Sequence, residues 1–573
     1  MSPPPLRGPR YLVAASLVLA VACWASCLAN PFVYDDVPLI ETNALLRSTG
    51  GLWTFFTHAK ITSGPIWPHH YRPILMTTVW LNYQLGGVDP IGYRATNLVI
   101  HLVNGWLAWC LLRRMQRRWL PAATNDWASA FGASLFLLHP VQSIALDLVL
   151  KRNSSLCTLF MFAGLLLFAR ANDGRPRRWL SLAAAVACGA LAMLTKEDAF
   201  VMPLLVALVV WATGEGRLRQ ALAFAVAPAL FIARIAPHET VVNARGSALG
   251  HLLAQPIAVA RYFEMLVHPD AIAIAYDLEP VRDPFPWARL MALVAIVVAI
   301  CALWLLRRRW PLVAGATAWM LIFLLPTSSV FPIFLTMDEV RCYGAFLLLY
   351  GLVGIAIVRL KDGLATRTAA LATSPLLSLS PWLLLCLALL VTDWRINRAW
   401  SDPLELYAHA VERYPASQLG NRGLCEQLFA RTAGDLAIQR CERAVQLWPT
   451  DAMSRYYLVG ALAKAGRFEA ADRVARAAIR DFPDVDVVWT ALGHLSWLRD
   501  DYATAAQAYR RALATNPLDD SVRTHLADVL LAEGDRAAAR ALVDSFAGAP
   551  PGGPADVRLL ASVASRLEAA PAR

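Results

Sequence analysis

The sequence predicts an all-α protein: a multi-pass bundle of membrane helices followed by a solenoid of paired polar helices. Three observations carry this. Of the 573 residues, 57% are hydrophobic and only 17% charged, whereas soluble domains average about 45–50% and about 25%. The apolar excess falls in blocks near the roughly 17–25 residues that a helix needs to cross a bilayer. Beyond Val391 those blocks stop, and Pro415, Pro449, Pro483 and Pro517 recur every 34 residues.

The elements follow in chain order. Met1–Arg10 is basic and Pro-rich, and the apolar run Tyr11–Ala29 comes next. That run is long for a signal peptide and has no clear small-x-small cleavage site before Asn30-Pro31, so it is read as an uncleaved first membrane helix. Further spans are expected at Ala95–Leu112, Trp127–Leu138, Ser155–Phe168, Leu180–Leu194, Phe200–Trp211 and Ala221–Ile232. Leu290–Leu306, Pro311–Leu325, Tyr343–Val358 and Leu376–Val391 complete a set of about eleven. Two long loops intervene, from about Asn30 to Arg94 and from about Ala233 to Arg289. The second contains an amphipathic stretch, Leu252–Val267, suited to a membrane surface.

The net charge is +11. In a soluble protein this would suggest a nucleic-acid partner. Here the basic residues sit in short clusters between apolar blocks, at Arg7/Arg10, Arg113/Arg114/Arg117/Arg118, Arg175/Arg177/Arg178, Arg217/Arg219, Arg307/Arg308/Arg309 and Arg359/Lys361/Arg367. The intervening short turns carry only Lys151, Arg152, Lys196 and Arg341. Positive loops stay cytoplasmic, so the charge reports orientation, no nucleic-acid partner is expected, and eleven crossings put the C-terminus on the far side. Six of the ten cysteines lie within apolar blocks as small hydrophobes. No CxxC occurs, so neither a zinc cluster nor a thioredoxin-like site is indicated. Cys425 and Cys441 fall in the C-terminal region, where a helix pair could bring them face to face.

Between Ser401 and about Phe546, Ala410, Ala444, Ala478 and Ala512 keep the period of the prolines. A 34-residue repeat with Ala on the second helix and a closing Pro is the tetratricopeptide signature. About four repeats are expected, with Tyr457, Leu458 and Ala461 on the first helix of one and Trp489, Leu492 and Gly493 on that of the next. The tail, Gly548–Arg573, is read as loose apart from a short helix near Val557–Leu567. The expected units are thus 1–392 in the membrane, 393–548 as repeats and 549–573 as a flexible tail.

Charged residues beside apolar spans are costly and mark candidate sites. Five clusters fall on the outer side. Tyr34-Asp35-Asp36 offers adjacent carboxylates for a general base or a metal, or a plain helix cap. His69-His70-Tyr71-Arg72-Pro73 offers an Arg fork for a phosphate, or an interfacial anchor. His139-Pro140 reads better as a helix stop, and the following Lys151-Arg152 equally as a lipid-headgroup anchor. Lys196-Glu197-Asp198 is wedged in a short turn between two spans. Glu339-Val340-Arg341-Cys342-Tyr343 supplies a second Arg for an anion, or an ion pair sealing the bundle. Inside the second span Asn97, His101 and Asn104 recur at about one turn and read as helix–helix hydrogen-bonding groups.

The ordered series Phe32-Val33-Tyr34-Asp35-Asp36, Tyr71-Arg72-Pro73-Ile74, Leu81-Asn82-Tyr83, Asn97–His101, His139-Pro140-Val141, Lys196-Glu197, Leu325-Pro326-Thr327-Ser328-Ser329 and Glu339-x-Arg341-x-Tyr343 resembles the transmembrane-and-tetratricopeptide O-mannosyltransferase family and its bacterial relatives. The domain order is similar too, and the resemblance runs from about Tyr11 to Phe546. Two positions depart from the family pattern: Ile144 stands where an acidic residue is usual, and Gly344-Ala345 follows Tyr343 in place of Leu-Pro.

The resemblance implies a GT-C membrane glycosyltransferase that moves a sugar from a polyprenyl-phosphate donor to a hydroxyl acceptor, a protein Ser or Thr. Asp35 or Asp36 would be the base, with Asp35 preferred. Arg72, Lys196 and above all Arg341 would hold the donor phosphate, and Glu197, Glu339, His139 and Tyr343 would orient them. No cofactor is required, although Asp35/Asp36 with His69/His70 would suit a divalent metal. A protein acceptor or partner is expected on the concave face of the repeats, with membrane lipid around the bundle. Alanine and arginine richness suggests a bacterial inner membrane with periplasmic repeats. The alternatives are a non-enzymatic scaffold for an envelope complex, and a transporter, for which most of the polar residues lie too near the helix ends.

Overall fold

The computed structural model describes residues 8–41, 43–47, 49–57, 71–174, 178–234, 248–278, 286–328, 335–365, 375–432, 434–517, 519–545 and 554–569. Among these, every regular element is helical. Each of the eleven apolar runs coincides with helical backbone to within a residue or two. They are not all simple crossings. Gly8–Cys27, Pro90–Gln116 and Val149–Ala171 are each long and apolar enough to span a membrane. Ala122–Leu138 with Pro140–Asp147, and Glu339–Ala345 with Leu347–Gly363, qualify only as pairs, bent by 53° and 63°. Arg178–Met193, Leu218–Ala233 and Pro311–Leu324 are apolar but shorter. The first bend has a plain cause: Pro140 lacks the N–H that would continue the helix, and His139 turns to extended backbone there.

Two helices lie in the first long loop, both too short to be read as membrane spans: Thr49–Thr57 and Pro73–Gly86. In the latter, Leu75, Met76 and Val79 share one buried face. They pack with Phe32, Leu39, Phe55 and Tyr93 into a small core of their own. The amphipathic stretch of the second loop forms the helix Ala248–Val267. Its Ala254, Ala258, Tyr262 and Met265 are buried against the protein, while Ile257, Phe263 and Val267 are exposed. Both its faces are therefore apolar, which suits a helix between protein and lipid.

The helix Pro375–Trp400 runs unbroken across residue 392 and leads into the first repeat helix, Pro403–Arg413. The repeats then alternate as sequence periodicity requires. Each of the four phased prolines follows the end of a second helix, and Ala410, Ala444, Ala478 and Ala512 are all buried. Gly493 shows why a small residue is needed on the first helix: a Cβ there would sit 2.5 Å from the Tyr509 ring. Asp402, Ser417, Asp451, Asp501, Asp519 and Asp535 cap the helix starts through their side chains. Cys425 and Cys441 form a disulfide across the first helix pairs.

One hydrophobic core continues from Trp24, Phe136 and Trp319 in the bundle through Trp400 and Leu406 to Leu419 and Leu458 in the repeats. In the tail, the short helix expected near Val557–Leu567 is present and a few residues longer. Its helix Pro554–Ala569 buries Val563 and Leu567 against the last repeat, and Arg566 pairs with Asp528. A solenoid's end exposes an apolar face that needs such a cap.

Candidate functional site

The site begins where the first helix leaves the bundle. Arg94, fully buried on the helix Pro90–Gln116, donates to the carbonyls of Asn30, Pro31 (2.7 Å) and Asp147 (3.0 Å). Three bonds from one guanidinium fix the chain just before the acidic pair. Tyr34 adopts φ +51°, a left-handed conformation that costs a non-glycine residue about 1–2 kcal/mol. Beyond that kink the two carboxylates meet different surroundings.

Asp36, with no exposure, accepts the backbone N–H groups of Val149 (2.8 Å) and Leu150 (2.9 Å). It thereby caps the short turn that opens the helix Arg152–Ala171. Burial raises its carboxyl to about 6, against the pull of these two hydrogen bonds. Asp35 is 7% exposed, and its buried Oδ1 has no hydrogen-bond partner. Burial pushes it up to about 7, opposed first by Lys151 and also by Arg422, and reinforced by Asp36 and Asp338. A carboxylate near neutrality with a free lone pair is the arrangement a general base requires.

Beside Asp35, Lys151 forms an ion pair with Asp338. The Asp338 carboxylate also accepts from Val340 N–H at 3.2 Å. Burial works against its charge, yet Lys151, then Arg341 and Lys196, hold it below its ordinary value. Asp338 is therefore the link between the cations singled out in the sequence. Arg341 itself is 7% exposed and donates to the carbonyls of Thr336 (2.8 Å), Thr327 (3.4 Å) and Leu335. In this conformation its guanidinium is engaged in shaping the chain that precedes it.

The turn after the fifth apolar run assembles a second charge group. Arg72 and Glu197 form a two-pronged ion pair, with Nε to Oε2 at 3.2 Å. Lys196 Nζ lies 2.6 Å from Asp198 and 2.9 Å from Ser154 Oγ. Ile74 N–H donates to Leu194 O at 3.2 Å, tying this turn to the helix that follows Arg72. Each of these cations thus has an internal partner.

His139 and Tyr343 sit elsewhere. His139 accepts from Val141 N–H at 3.2 Å and its other nitrogen lies 3.1 Å from Leu266 O, as a helix stop would. The Tyr343 hydroxyl meets His101 (2.9 Å) and Asn104 (3.1 Å) inside the bundle. Both pack the core, because residues flanking a helix break are drawn into helix–helix contacts; neither lines the cleft. Asn97 likewise bonds the carbonyls of Ala145 and Leu146. Lys151 and Arg152 are both engaged within the protein, Lys151 with Asp338. Arg152 is fully buried, with Asn97 at 2.6 Å, Tyr93 O at 2.8 Å and Thr78 at 3.0 Å. His69, His70 and Ser329 lie outside the described residues. Among the described residues no group of three His, Cys, Asp or Glu is gathered to hold a metal.

A cleft opens over this acidic loop. Tyr34, Lys151, Asp338 and Glu339 line it from the bundle, and Gln418, Leu419 and Trp448 from the first repeats. Asp35, Asp36, Arg72, Lys196, Glu197 and Arg341 are not among its lining residues; Asp35 stands directly behind Tyr34 in the chain. Sequence reasoning missed Asp338, Arg94 and Arg422. Asp338 is adjacent to the motif at Glu339 and was legible as a charge at a span's end; the two arginines reach the site only through tertiary contacts.

Fold and site together define a multi-pass membrane protein with a charged cleft where its bundle meets a tetratricopeptide solenoid. The tetratricopeptide repeat family model matches residues 497–562. The chain is related to the transmembrane-and-tetratricopeptide proteins named as protein O-mannosyl-transferases. It is 28% identical to F38B6.6 of Caenorhabditis elegans over 27% of this chain and 22% of that one. It is 29% identical to human TMTC4 over 31% and 26%, and 30% identical to Drosophila melanogaster Tmtc2 over 33% and 20%. The matched part thus spans about a quarter of the length of these relatives. Among solved structures, ArnT from Cupriavidus metallidurans bound to undecaprenyl phosphate is 16% identical over 84% of this chain and 81% of that one, with a TM-score of 0.35. A thermophilic TPR protein from Thermus thermophilus is 20% identical over 29% and 89%, with a TM-score of 0.26. At such scores neither likeness bears on fold or activity.

Proposed function

We propose that this protein is a GT-C membrane glycosyltransferase that moves a sugar from a polyprenyl-phosphate donor to a hydroxyl of a protein Ser or Thr. The observation that carries this is Asp35: a buried carboxylate with an unpartnered oxygen, next in the chain to Tyr34, which lines a cleft together with Lys151. Asp35 takes the proton of the acceptor hydroxyl as the oxygen attacks the anomeric carbon. The departing phosphate is a weak base and needs no general acid. Cations stabilise the charge that develops on it. Lys151 lies at the cleft, and Arg341, Lys196 and Arg72 form the wider basic network, with Glu197 and Asp338 orienting them. For Arg341 to contact phosphate it must release a carbonyl. The names of the relatives support mannose as the sugar.

The chemistry belongs on the non-cytoplasmic face. The basic clusters between spans support that orientation. So does the Cys425–Cys441 disulfide, which persists in oxidising compartments. In a bacterial inner membrane the repeats would stand in the periplasm, their concave face open to an extended protein acceptor or partner.

The test is transfer by purified full-length protein supplied with radiolabelled polyprenyl-phosphate sugars and a Ser/Thr-rich acceptor. Consumption of one donor, lost in Asp35→Asn, is the expected result. Donor turnover that persists undiminished in Asp35→Asn removes Asp35 from the mechanism. No consumption of any donor would favour the scaffold reading.

A further inference from the structure

A second cavity, of about 250 Å³, lies beside the cleft. It is smaller than the roughly 300–1,000 Å³ that holds a drug-sized ligand, so it suits one side chain or one headgroup. Residues 272–278 form the partition between the two. This segment is tied to the first repeat by the Tyr414 hydroxyl, which donates to Ala271 O at 2.8 Å, and by the Tyr414 ring, which meets Tyr276 edge-on at 5.1 Å. Ile272, Ala273 and Ile274 line the second cavity, and Ile274 to Leu278 line the cleft. Glu339 also lines both.

The second cavity leads from solvent to a buried acid. Asp270, Arg395 and His409 are exposed at its mouth. Ser143 and Glu339, each 1% exposed, stand at its inner end, where the short helices Ser143–Asp147 and Glu339–Arg341 touch. Ile272, Ile396, Trp400 and Leu406 make the walls between them apolar.

Both inner groups lack a counterpart. The Ser143 Oγ is buried with no hydrogen-bond partner. Among the described residues Glu339 forms no ion pair. The cations beside it are taken, Lys151 by Asp338 and Arg341 by the carbonyls of Thr327, Leu335 and Thr336. A carboxylate removed from water is costly without a cation, and a buried hydroxyl needs a partner. One ammonium group answers both needs, because its three N–H donors can serve the carboxylate and the hydroxyl oxygen together. The apolar walls then suit the methylene stem that carries it. The charges at the mouth are of both signs and stand in water, where they are screened. The buried Glu339 therefore decides which charge the cavity prefers.

We propose that this cavity is a specificity pocket for a lysine side chain of the protein acceptor, its stem along Ile272, Ile396 and Leu406 and its ammonium on Glu339 and Ser143; this rests on the reading of the cleft as the seat of a polypeptide acceptor. A chain lying in the cleft reaches the pocket across Ile274 and Glu339, which belong to both. The transferase then favours a Ser or Thr that has a Lys at one fixed distance along the acceptor chain.

The experiment measures, by fluorescence anisotropy, the binding of labelled peptides to the full chain in nanodiscs. Each peptide carries one Thr, with a single Lys walked along the sequence on either side of it, and has a twin in which norleucine replaces that Lys. At one register the Lys peptide is expected to bind about tenfold tighter than its twin, the lower end of what a close charge pair contributes across an interface. Glu339→Gln removes the advantage. Ala399 lines this cavity and not the cleft, so Ala399→Phe fills the pocket with Glu339 in place, and it removes the advantage too. If Glu339→Gln does not fold, Ala399→Phe decides alone. An advantage at no register, or one that survives in either folded variant, overturns the proposal. So does an advantage seen only in nanodiscs free of phosphatidylethanolamine, for the pocket then belongs to that lipid's ammonium headgroup. Binding needs no turnover: a Lys advantage lost in both variants, in a protein that transfers no sugar, sinks the transferase reading and leaves the pocket standing.

Discussion

Asp35 and Asp36 are neighbours in the chain, yet only the Asp36 carboxylate is hydrogen-bonded to backbone, at 2.8 and 2.9 Å from two N–H groups. Asp35 keeps a buried oxygen without a partner. The division yields opposite outcomes on substitution. Asp35→Asn is expected to lower transfer about 10²–10⁴-fold, the usual worth of a general base, with little change in melting temperature. Asp36→Asn replaces one accepting oxygen by an NH₂ facing an N–H, so it is expected to cost about 1–3 kcal/mol of stability. Turnover and thermal unfolding measured on both variants check the pair. Loss of activity without loss of stability in Asp36→Asn would reverse the assignment.

The pH dependence follows from the same burial. Asp35 must be ionised to accept a proton, and its carboxyl is raised to about 7. Transfer is therefore expected to rise with pH and level off above about 7. Stability runs the other way. Both folded carboxyls, at about 7 and about 6, lie above their unfolded values near 4. The folded state then binds more protons, and the contribution is whole below pH ~4 and lost as pH rises through ~7. Urea unfolding across pH 4–8 is expected to show falling stability, a slope that Asp35→Asn reduces.

The membrane helices and the repeats were legible because each is written as a period: apolar blocks of bilayer length, and prolines 34 apart. The acidic loop was legible because charge beside an apolar block is costly to place. What stayed hidden is contact made at long range. Arg94 holds residues some sixty positions away, and nothing in its helical neighbours signals that. Arg341 looked free for an anion in the sequence, and only the fold reveals the carbonyls it serves. His139 and Tyr343 meet Leu266 O and His101/Asn104 for a like reason: a motif's order in the chain does not say which helices its side chains will touch.

Arg72 and Glu197, 125 residues apart, make the ion pair that joins the first outer loop to the turn after Met193. Glu197 keeps a third of its side chain exposed, so solvent screens the pair, and a coupling of about 1 kcal/mol is expected. A double-mutant cycle of Arg72→Gln and Glu197→Gln on stability measures it. If Arg72 also meets the donor phosphate, Arg72→Gln weakens donor binding well beyond Glu197→Gln. Equal effects of the two would leave Arg72 a purely structural cation.

The Cys425–Cys441 disulfide closes a loop of 16 residues. By chain entropy such a loop is worth about 3 kcal/mol. It staples the helix that carries Arg422 to the one following it, so its loss loosens the wall of the cleft. Cys425→Ser with Cys441→Ser is expected to lower the melting temperature of the repeats and to reduce transfer more than donor binding. The bond also reports topology. On a reducing cytoplasmic face the two thiols would be free, and because both are buried, maleimide would label them in cells lysed directly into denaturant without prior reduction. If the helices Gln418–Arg431 and Asp435–Leu447 stand on the oxidising side, as proposed, labelling of these two requires a reductant, and that is the expected result. Labelling without reductant would put the repeats in the cytoplasm, and the cleft they help to form with them.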